Sequence, residues 1–344
     1  MKVGVLQFFS WPERRVPLQM VYHRAFERIE IMDQTGYDCV WLAEHHFGSY
    51  SICPSVHIMG THIAARTKNL RIGTGISLAA FYNPLRLAEE VALLDVLSEG
   101  RVNWGAGRGF DRNEFQAFDV KKEDSYPLFR ENVDIVLKAW TNDRLTYDGK
   151  YHSYEDVEVL PKPHQKPHPP LWMASSSLEA IGWAAENGFS IMMDPHSTHE
   201  EIGRKRRFYQ EELEKHGYSI EGRDTPVARL LAIGDSHEEA EQIAAAGAQW
   251  MFKSYLSPEV HHMISDLRSK EARAAAADNP TAMGDDMSAA QRYLNGVIIY
   301  GTPGEVADKL LELQEDICLD YLLCAPLSHG TFMKLTDEVL PRIL

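Results

Sequence analysis

Hydrophobic and polar positions alternate along the chain between two textures. Segments 3–9, 37–44, 70–78, 101–106, 171–175, 189–193, 227–233 and 321–324 are short apolar runs without a helical period, which predicts buried strands. Between them, apolar residues recur every three or four positions. This predicts helices over 18–34, 54–67, 84–97, 178–187, 200–216, 237–248, 302–317 and 332–340, with 129–140 the clearest piece after the fourth strand. Gly36 stands where the first helix is expected to be capped. Thr302-Pro303-Gly304-Glu305 supplies a cap, a proline at the first helical position and a carboxylate three residues beyond the cap.

Two stretches interrupt this rhythm. Residues 144–170 place Tyr147, Tyr151 and Tyr154 around Asp148-Gly149 before a run rich in Pro and His, which reads as a hairpin followed by an extended segment. Residues 255–295 do not alternate, and read as a long, partly helical, mobile insertion of the kind that lids a site. A short apolar run over 297–300 follows it. Eight strand candidates alternating with helices predict an α/β fold, a (β/α)8 TIM barrel spanning 1–344 as one domain, both insertions decorating it. A doubly wound sheet is the alternative.

Composition narrows the function. A net charge of −15 argues against non-specific nucleic-acid binding. No stretch approaches the roughly 18 apolar residues that span a bilayer. Cys39, Cys53, Cys318 and Cys324 form no CxxC pair, and Met1 leads directly into a strand pattern with no signal-peptide layout, so reduced thiols in the cytoplasm are expected.

In barrels, chemistry is mounted at the carboxyl ends of strands. Those ends supply Glu44 and His45, then Gly75, Ile76 and Ser77, then Gly107, Arg108 and Gly109, then Ser175, Ser176 and Ser177. Arg108 is a permanently charged fork for phosphate or carboxylate, or else a structural partner of a barrel carboxylate. The serines precede a helix and offer either an anion site or a simple cap. Neighbouring strand residues point to opposite faces, so His45 and His46 do not readily share a metal, and no metal site is expected. One imidazole should face the barrel mouth and serve acid–base chemistry; the other should contact core or loop. Gly105 to Gly109 lacks GxGxxG spacing, and there is no G-x-S-x-G elbow. Phe8, Phe81 and Phe110 are candidates for an apolar substrate cavity or for ordinary packing.

Several of these pieces together resemble the bacterial luciferase-like flavin monooxygenases. They are Trp41-Leu42-Ala43-Glu44-His45-His46-Phe47, Ile72-Gly73-Thr74-Gly75 through Asn83-Pro84, and Ala88-Glu89-Glu90-Val91-Ala92-Leu93-Leu94-Asp95. Further along come Ser98-Glu99-Gly100-Arg101, Gly105-Ala106-Gly107-Arg108-Gly109, Trp183-Ala184-Ala185-Glu186-Asn187-Gly188 and Gly301-Thr302-Pro303-Gly304-Glu305. The resemblance implies a barrel that binds reduced FMN (FMNH2) made by a separate NAD(P)H:flavin reductase. It also implies reaction with O2 through a C4a-(hydro)peroxyflavin to oxidise a small organic substrate. By position, His45 matches the family's active-site histidine and Glu44 its neighbour near the flavin. Gly75 and Ile76 fall where the family has an unusual, often cis, peptide bond beneath the isoalloxazine. Arg108 matches a phosphate-binding arginine, and Ser176 and Ser177 match residues around the flavin phosphate. Tyr126 falls where the luciferase α-chain has a second phosphate-binding arginine, so one charge is missing. Gly107 replaces that chain's reactive cysteine, so light emission is not implied. The family also contains F420-dependent hydride-transfer oxidoreductases, and a non-catalytic flavin-binding partner subunit is the third reading. Relatives are commonly dimers, so a homodimer or related heterodimer is expected.

Overall fold

The structure, a computed structural model, describes residues 1–254 and 289–344. Its strands are β1 (Lys2–Gln7), β2 (Cys39–Leu42), β3 (Arg71–Thr74), β4 (Ser77–Leu78) and β5 (Val102–Gly107). An antiparallel hairpin of β6 (Leu145–Asp148) and β7 (Ser153–Val157) stands apart from the main sheet. Then follow β8 (Leu171–Ser175), β9 (Ser190–Met193), β10 (Val227–Ile233), β11 (Ile299–Gly301) and β12 (Tyr321–Pro326). Hydrogen bonding runs β1–β2–β3–β5–β8–β9–β10–β12 and returns to β1, all parallel. This is a closed eight-stave barrel with helices between the staves, as the alternation predicted. The short run near 299 forms β11, which lies along β10.

The helices that position the site are α1 (Leu18–Asp33), α2 (Val56–Ala64), α3 (Pro84–Leu97), α4 (Arg112–Ala117), α5 (Lys122–Thr141), α6 (Leu178–Glu186), α7 (His199–Lys215) and α8 (His237–Ser254). Past the undescribed residues come α9 (Ala289–Gly296), α10 (Pro303–Asp316) and α11 (His329–Lys334). The expected mobile insertion at 255–295 lies outside the described residues as far as 288.

The staves are continuous apolar runs because both faces are buried. In β10, Val227, Leu231 and Ile233 pack outward against helices, while Ala228, Leu230 and Ala232 point into the barrel. The interior below Ala43 is filled by aromatic rings. Trp41 packs edge-on to Trp172 with centroids 5.2 Å apart, and its indole N–H donates to the Tyr321 hydroxyl at 3.1 Å. Gly73 makes room for that indole, since a Cβ there would lie 2.4 Å from it. The barrel interior around Trp41 is therefore filled by side chains.

Three differences from the predicted elements have physical causes. The third strand is split into β3 and β4 around a cis peptide between Gly75 and Ile76. Helix α5 begins well before 129: its polar first turns and internal Pro127 hide the period. Gly36 does not cap α1, which ends on Gln34 in right-handed geometry; a Cβ at Gly36 would stand 2.4 Å from Leu344, so the glycine admits the C-terminal side chain. The expected Thr302–Glu305 capping box is present, and Thr198 with Glu201 forms a second one at α7.

Candidate functional site

A cavity of about 480 Å³ opens at the carboxyl ends of the staves. That lies within the roughly 300–1,000 Å³ typical of small-molecule and cofactor sites. Glu44, His45, Gly75, Ile76, Arg108, Tyr126, Ser176 and Ser177 all line it. Gly107 does not. It lies under Ile76, where a Cβ would come 1.8 Å from Ile76 Cδ1, so this glycine admits a side chain rather than exposing backbone. Phe8 and Phe110 line the cavity, whereas Phe81 packs against Phe115 and Phe118 at 5.1 and 5.0 Å.

One end of the cavity is built by β2 running into its loop. His45 faces the cavity, with Tyr50 edge-on at 5.1 Å and Phe8 stacked at 6.4 Å. His46 turns away and meets Glu44 Oε1 at 3.1 Å. The Glu44 carboxylate is buried and also accepts from the Tyr82 hydroxyl at 2.8 Å and the Leu78 N–H at 3.1 Å. A carboxylate held by three donors is fixed in place, and it fixes the loop after β4 in return. Sequence reasoning missed Glu114. From α4 its buried Oε1 accepts the His46 N–H at 2.9 Å and stands 3.5 Å from His45 Nδ1.

The other end is cationic. Arg108 Nη1 donates to Ser125 Oγ at 3.0 Å, and its guanidinium lies 4.1 Å over the Tyr126 ring. Among the described residues Arg108 makes no ion pair, so a barrel carboxylate is not what holds it there. Burial lowers its pKa, but an arginine stays charged. Arg130, one turn beyond Tyr126 on α5, also lines the cavity. Its guanidinium lies 5.5 Å from the same tyrosine ring and 5.3 Å from Trp183, and Nη2 reaches Glu179 at 3.0 Å. Its Nε is buried without a hydrogen-bond partner. The charge absent at Tyr126 is thus present four residues on, a spacing readable from the helix period. Ser177 Oγ caps α6, accepting from the Ala180 N–H at 3.2 Å, and Ser176 is exposed beside it. A helix start and guanidiniums together are chemistry suited to holding an anion.

The model of the luciferase-like monooxygenase family matches residues 1–318. The chain belongs to that family. Among curated relatives it is 31% identical over 64% of its length to an uncharacterized protein, y4vJ, of Sinorhizobium fredii, and spans 63% of that protein. It is 28% identical, over 77% of its length and 75% of the relative, to the oxygenase component of flavin-dependent trigonelline monooxygenase from Acinetobacter baylyi. Among solved structures, one is the oxygenating constituent of 3,6-diketocamphane monooxygenase of Pseudomonas putida in complex with FMN. It superposes with TM-score 0.82 at 19% identity, covering 100% of this chain and 99% of that one. An F420-dependent secondary alcohol dehydrogenase with an F420–acetone adduct superposes with TM-score 0.77 at 16% identity, covering 100% and 99%. Both are likenesses of fold.

In this luciferase-like barrel a third wall comes from the end of β9, a strand end that sequence reasoning passed over. Asp194 Oδ2 accepts from Lys205 Nζ at 2.9 Å and from Ser197 Oγ at 2.9 Å. Burial opposes ionisation of Asp194, but Lys205 prevails and holds the carboxyl at about 2. His196 Nδ1 lies 2.9 Å from the Tyr293 hydroxyl. Burial, aided by Arg229 and His45 against the pull of Asp194, depresses His196 to about 4. Its imidazole is neutral at pH 7. The strand-end logic, carried on to the sixth predicted strand, leads to this wall as well.

Proposed function

We propose that this chain is the oxygenase component of a two-component flavin monooxygenase, a single-domain cytoplasmic enzyme acting with O2 on a small organic substrate. A separate NAD(P)H:flavin reductase supplies its reduced FMN. One observation carries the reading. The guanidiniums of Arg108 and Arg130, the start of α6, the His45 imidazole and the Gly75–Ile76 peptide all line one cavity of about 480 Å³. The lining fits a flavin mononucleotide: the orphaned Nε of Arg130 lacks an acceptor that a phosphate would provide, and Gly107 seats Ile76 as an apolar shelf.

Reduced flavin, when bound, supplies the electrons for oxygen activation. Arg108, Arg130, Ser176 and the start of α6 bind the phosphate, with Tyr126 packed between the guanidiniums and Ser177 capping the helix. Gly75 and Ile76 support the ring system. His45 holds and returns a proton at the cavity wall; Glu114 beside Nδ1 favours a proton there, leaving Nε2 to exchange one with the reactants. Glu44 is a positioning residue that fixes His46 and the loop after β4. Phe8 and Phe110 keep water from the reacting region.

Cofactor titration tests the assignment. Reduced FMN should bind, and a reductase-fed reaction should consume O2 with formation of an oxygenated product from a screened substrate. Binding of F420 with no binding of FMN overturns the reading in favour of hydride transfer. His45→Ala should lower product formation at least tenfold with flavin affinity unchanged.

A further inference from the structure

A second cavity, of about 780 Å³, adjoins the first, and Leu6 and Phe8 line both. The charged residues on its described wall are Glu13, Arg15, Arg24 and Arg28. Arg15 binds the Glu13 carboxylate through Nε at 2.9 Å, so that pair is internally neutralised. Arg24 and Arg28 are left. They are one turn apart on α1, where like charges repel. Arg28 is half-buried, its guanidinium 5.6 Å over Phe332 and its Nε 3.4 Å from His329 Nδ1. Among the described residues neither arginine has an ion pair, although the chain carries a net charge of −15. Burial, and then the neighbouring Arg24, depress the pKa of Arg28.

The rest of that wall is mostly apolar and partly aromatic, with Gln7, Ser10 and Gln249 as its uncharged polar side chains and with Tyr50, Trp250 and Met251 lining the chamber beside Phe8. Tyr50 stands 5.2 Å from Phe8 and 5.1 Å from His45, so the partition between chambers lies next to the imidazole. Two planar forks without an ion pair among the described residues, in one cavity with apolar and aromatic surface that includes Phe8, describe a ligand with a carboxylate head and an apolar body.

We propose that the second cavity selects the substrate as an organic acid, its carboxylate seated on Arg24 and Arg28 and its apolar body lying along Trp250 and Met251 toward Phe8. The reacting end of that body passes Phe8 and Tyr50 to reach His45. The assignment of this ligand as the substrate rests on the monooxygenase reading; the anion preference of the cavity does not.

Isothermal titration of the full chain with benzoate, phenylacetate and cinnamate, each paired with its uncharged amide, tests the proposal. At least one acid should bind, and bind tenfold or more tighter than its amide. Arg28→Gln and Arg24→Gln should each erase most of that preference while leaving the FMN dissociation constant unchanged. Arg24 is exposed, so its variant should fold even if the Arg28 variant does not. No binding by any of the three acids, equal binding of acid and amide, or an intact preference in Arg24→Gln overturns the proposal. Failure of reduced FMN to bind the same preparation instead overturns the monooxygenase reading, with the acid preference still measured.

Discussion

In the proposed phosphate site, two guanidiniums and one phenol set how firmly an anion is held. Arg108 and Arg130 approach the same Tyr126 ring from 4.1 and 5.5 Å, and the ring keeps both forks in place without neutralising them. Arg130 commits one terminal nitrogen to Glu179, whereas Arg108 commits one to the neutral Ser125 hydroxyl. Arg108 thus has the larger share of its charge available to a phosphate. Arg108→Ala should weaken FMN binding by roughly 1.5–3 kcal/mol, the range for a hydrogen bond to a charged group. Arg130→Ala should cost less, because the cation it removes is already partly committed to Glu179. Flavin-fluorescence titration measures both, and equal affinity in Arg108→Ala would remove it from the phosphate site. Beside His45, Glu114→Gln should lower turnover, because the carboxylate oxygen that holds the His46 N–H and stands 3.5 Å from His45 Nδ1 is changed, while flavin affinity stays at the wild-type value.

At the scale of elements, the site depends on how β3, β4 and β5 meet. The cis Gly75–Ile76 peptide ends β3, β4 re-pairs with β5 one step on, and Ile76 lands on Gly107. A methyl group at Gly107 would meet Ile76 Cδ1 at 1.8 Å, and one at Gly105 would meet the Thr74 carbonyl oxygen at 2.1 Å. The first clash is with the end of a side chain; the second is with backbone, which cannot swing away. Gly105→Ala should therefore destabilise the fold by about 1–3 kcal/mol or more, in the range for overpacking. Gly107→Ala should cost less stability but lower flavin affinity by displacing Ile76. Chemical denaturation and flavin titration separate the two effects. The staves were legible in the sequence because strands buried on both faces are uniformly apolar, and the strand-end logic led to Glu44, His45, Arg108 and the serines. The resemblance, not the pattern, pointed to Gly75–Ile76 as a special bond. What escaped was supplied by helices: Glu114 lies on a short helix with no clear period, and Arg130 on a helix whose first turns are polar and contain Pro127. Asp194-Pro195-His196 was open to the strand-end logic, but its partner Tyr293 was not: it comes from α9, almost a hundred positions away in the chain.

At the scale of the whole molecule, two properties arise from how the barrel distributes charge and apolar surface. Burial holds His196 at about 4 and His199 at about 3, both below the usual histidine value of 6.5. Between those values and 6.5 the unfolded chain binds protons that the folded one refuses. Their contribution is therefore complete above pH 6.5 and is lost as pH falls toward 4 and then 3. Asp194 adds a further loss between its ordinary 3.8 and about 2. Urea midpoints should fall steadily from pH 6.5 to 4, and His196→Gln should flatten part of that slope, by about 1–2 kcal/mol after allowance for solvent access; an unchanged slope would place the proton uptake elsewhere. The second property is apolar. Helices α2 and α3 pack side by side and leave Ile58, Leu97, Leu93 and Val96 exposed at 75, 53, 47 and 40%. Scattered apolar side chains are ordinary on a surface, but four on two adjoining helices are a candidate for the kind of apolar face that marks an association site. We propose that two copies of this chain pair through it. Ile58→Lys with Leu97→Lys places two like charges on that face without touching the cavity, so light scattering should show a dimer in the wild type and a monomer in the double variant, with flavin affinity retained. A wild type that is monomeric at micromolar concentration overturns this pairing.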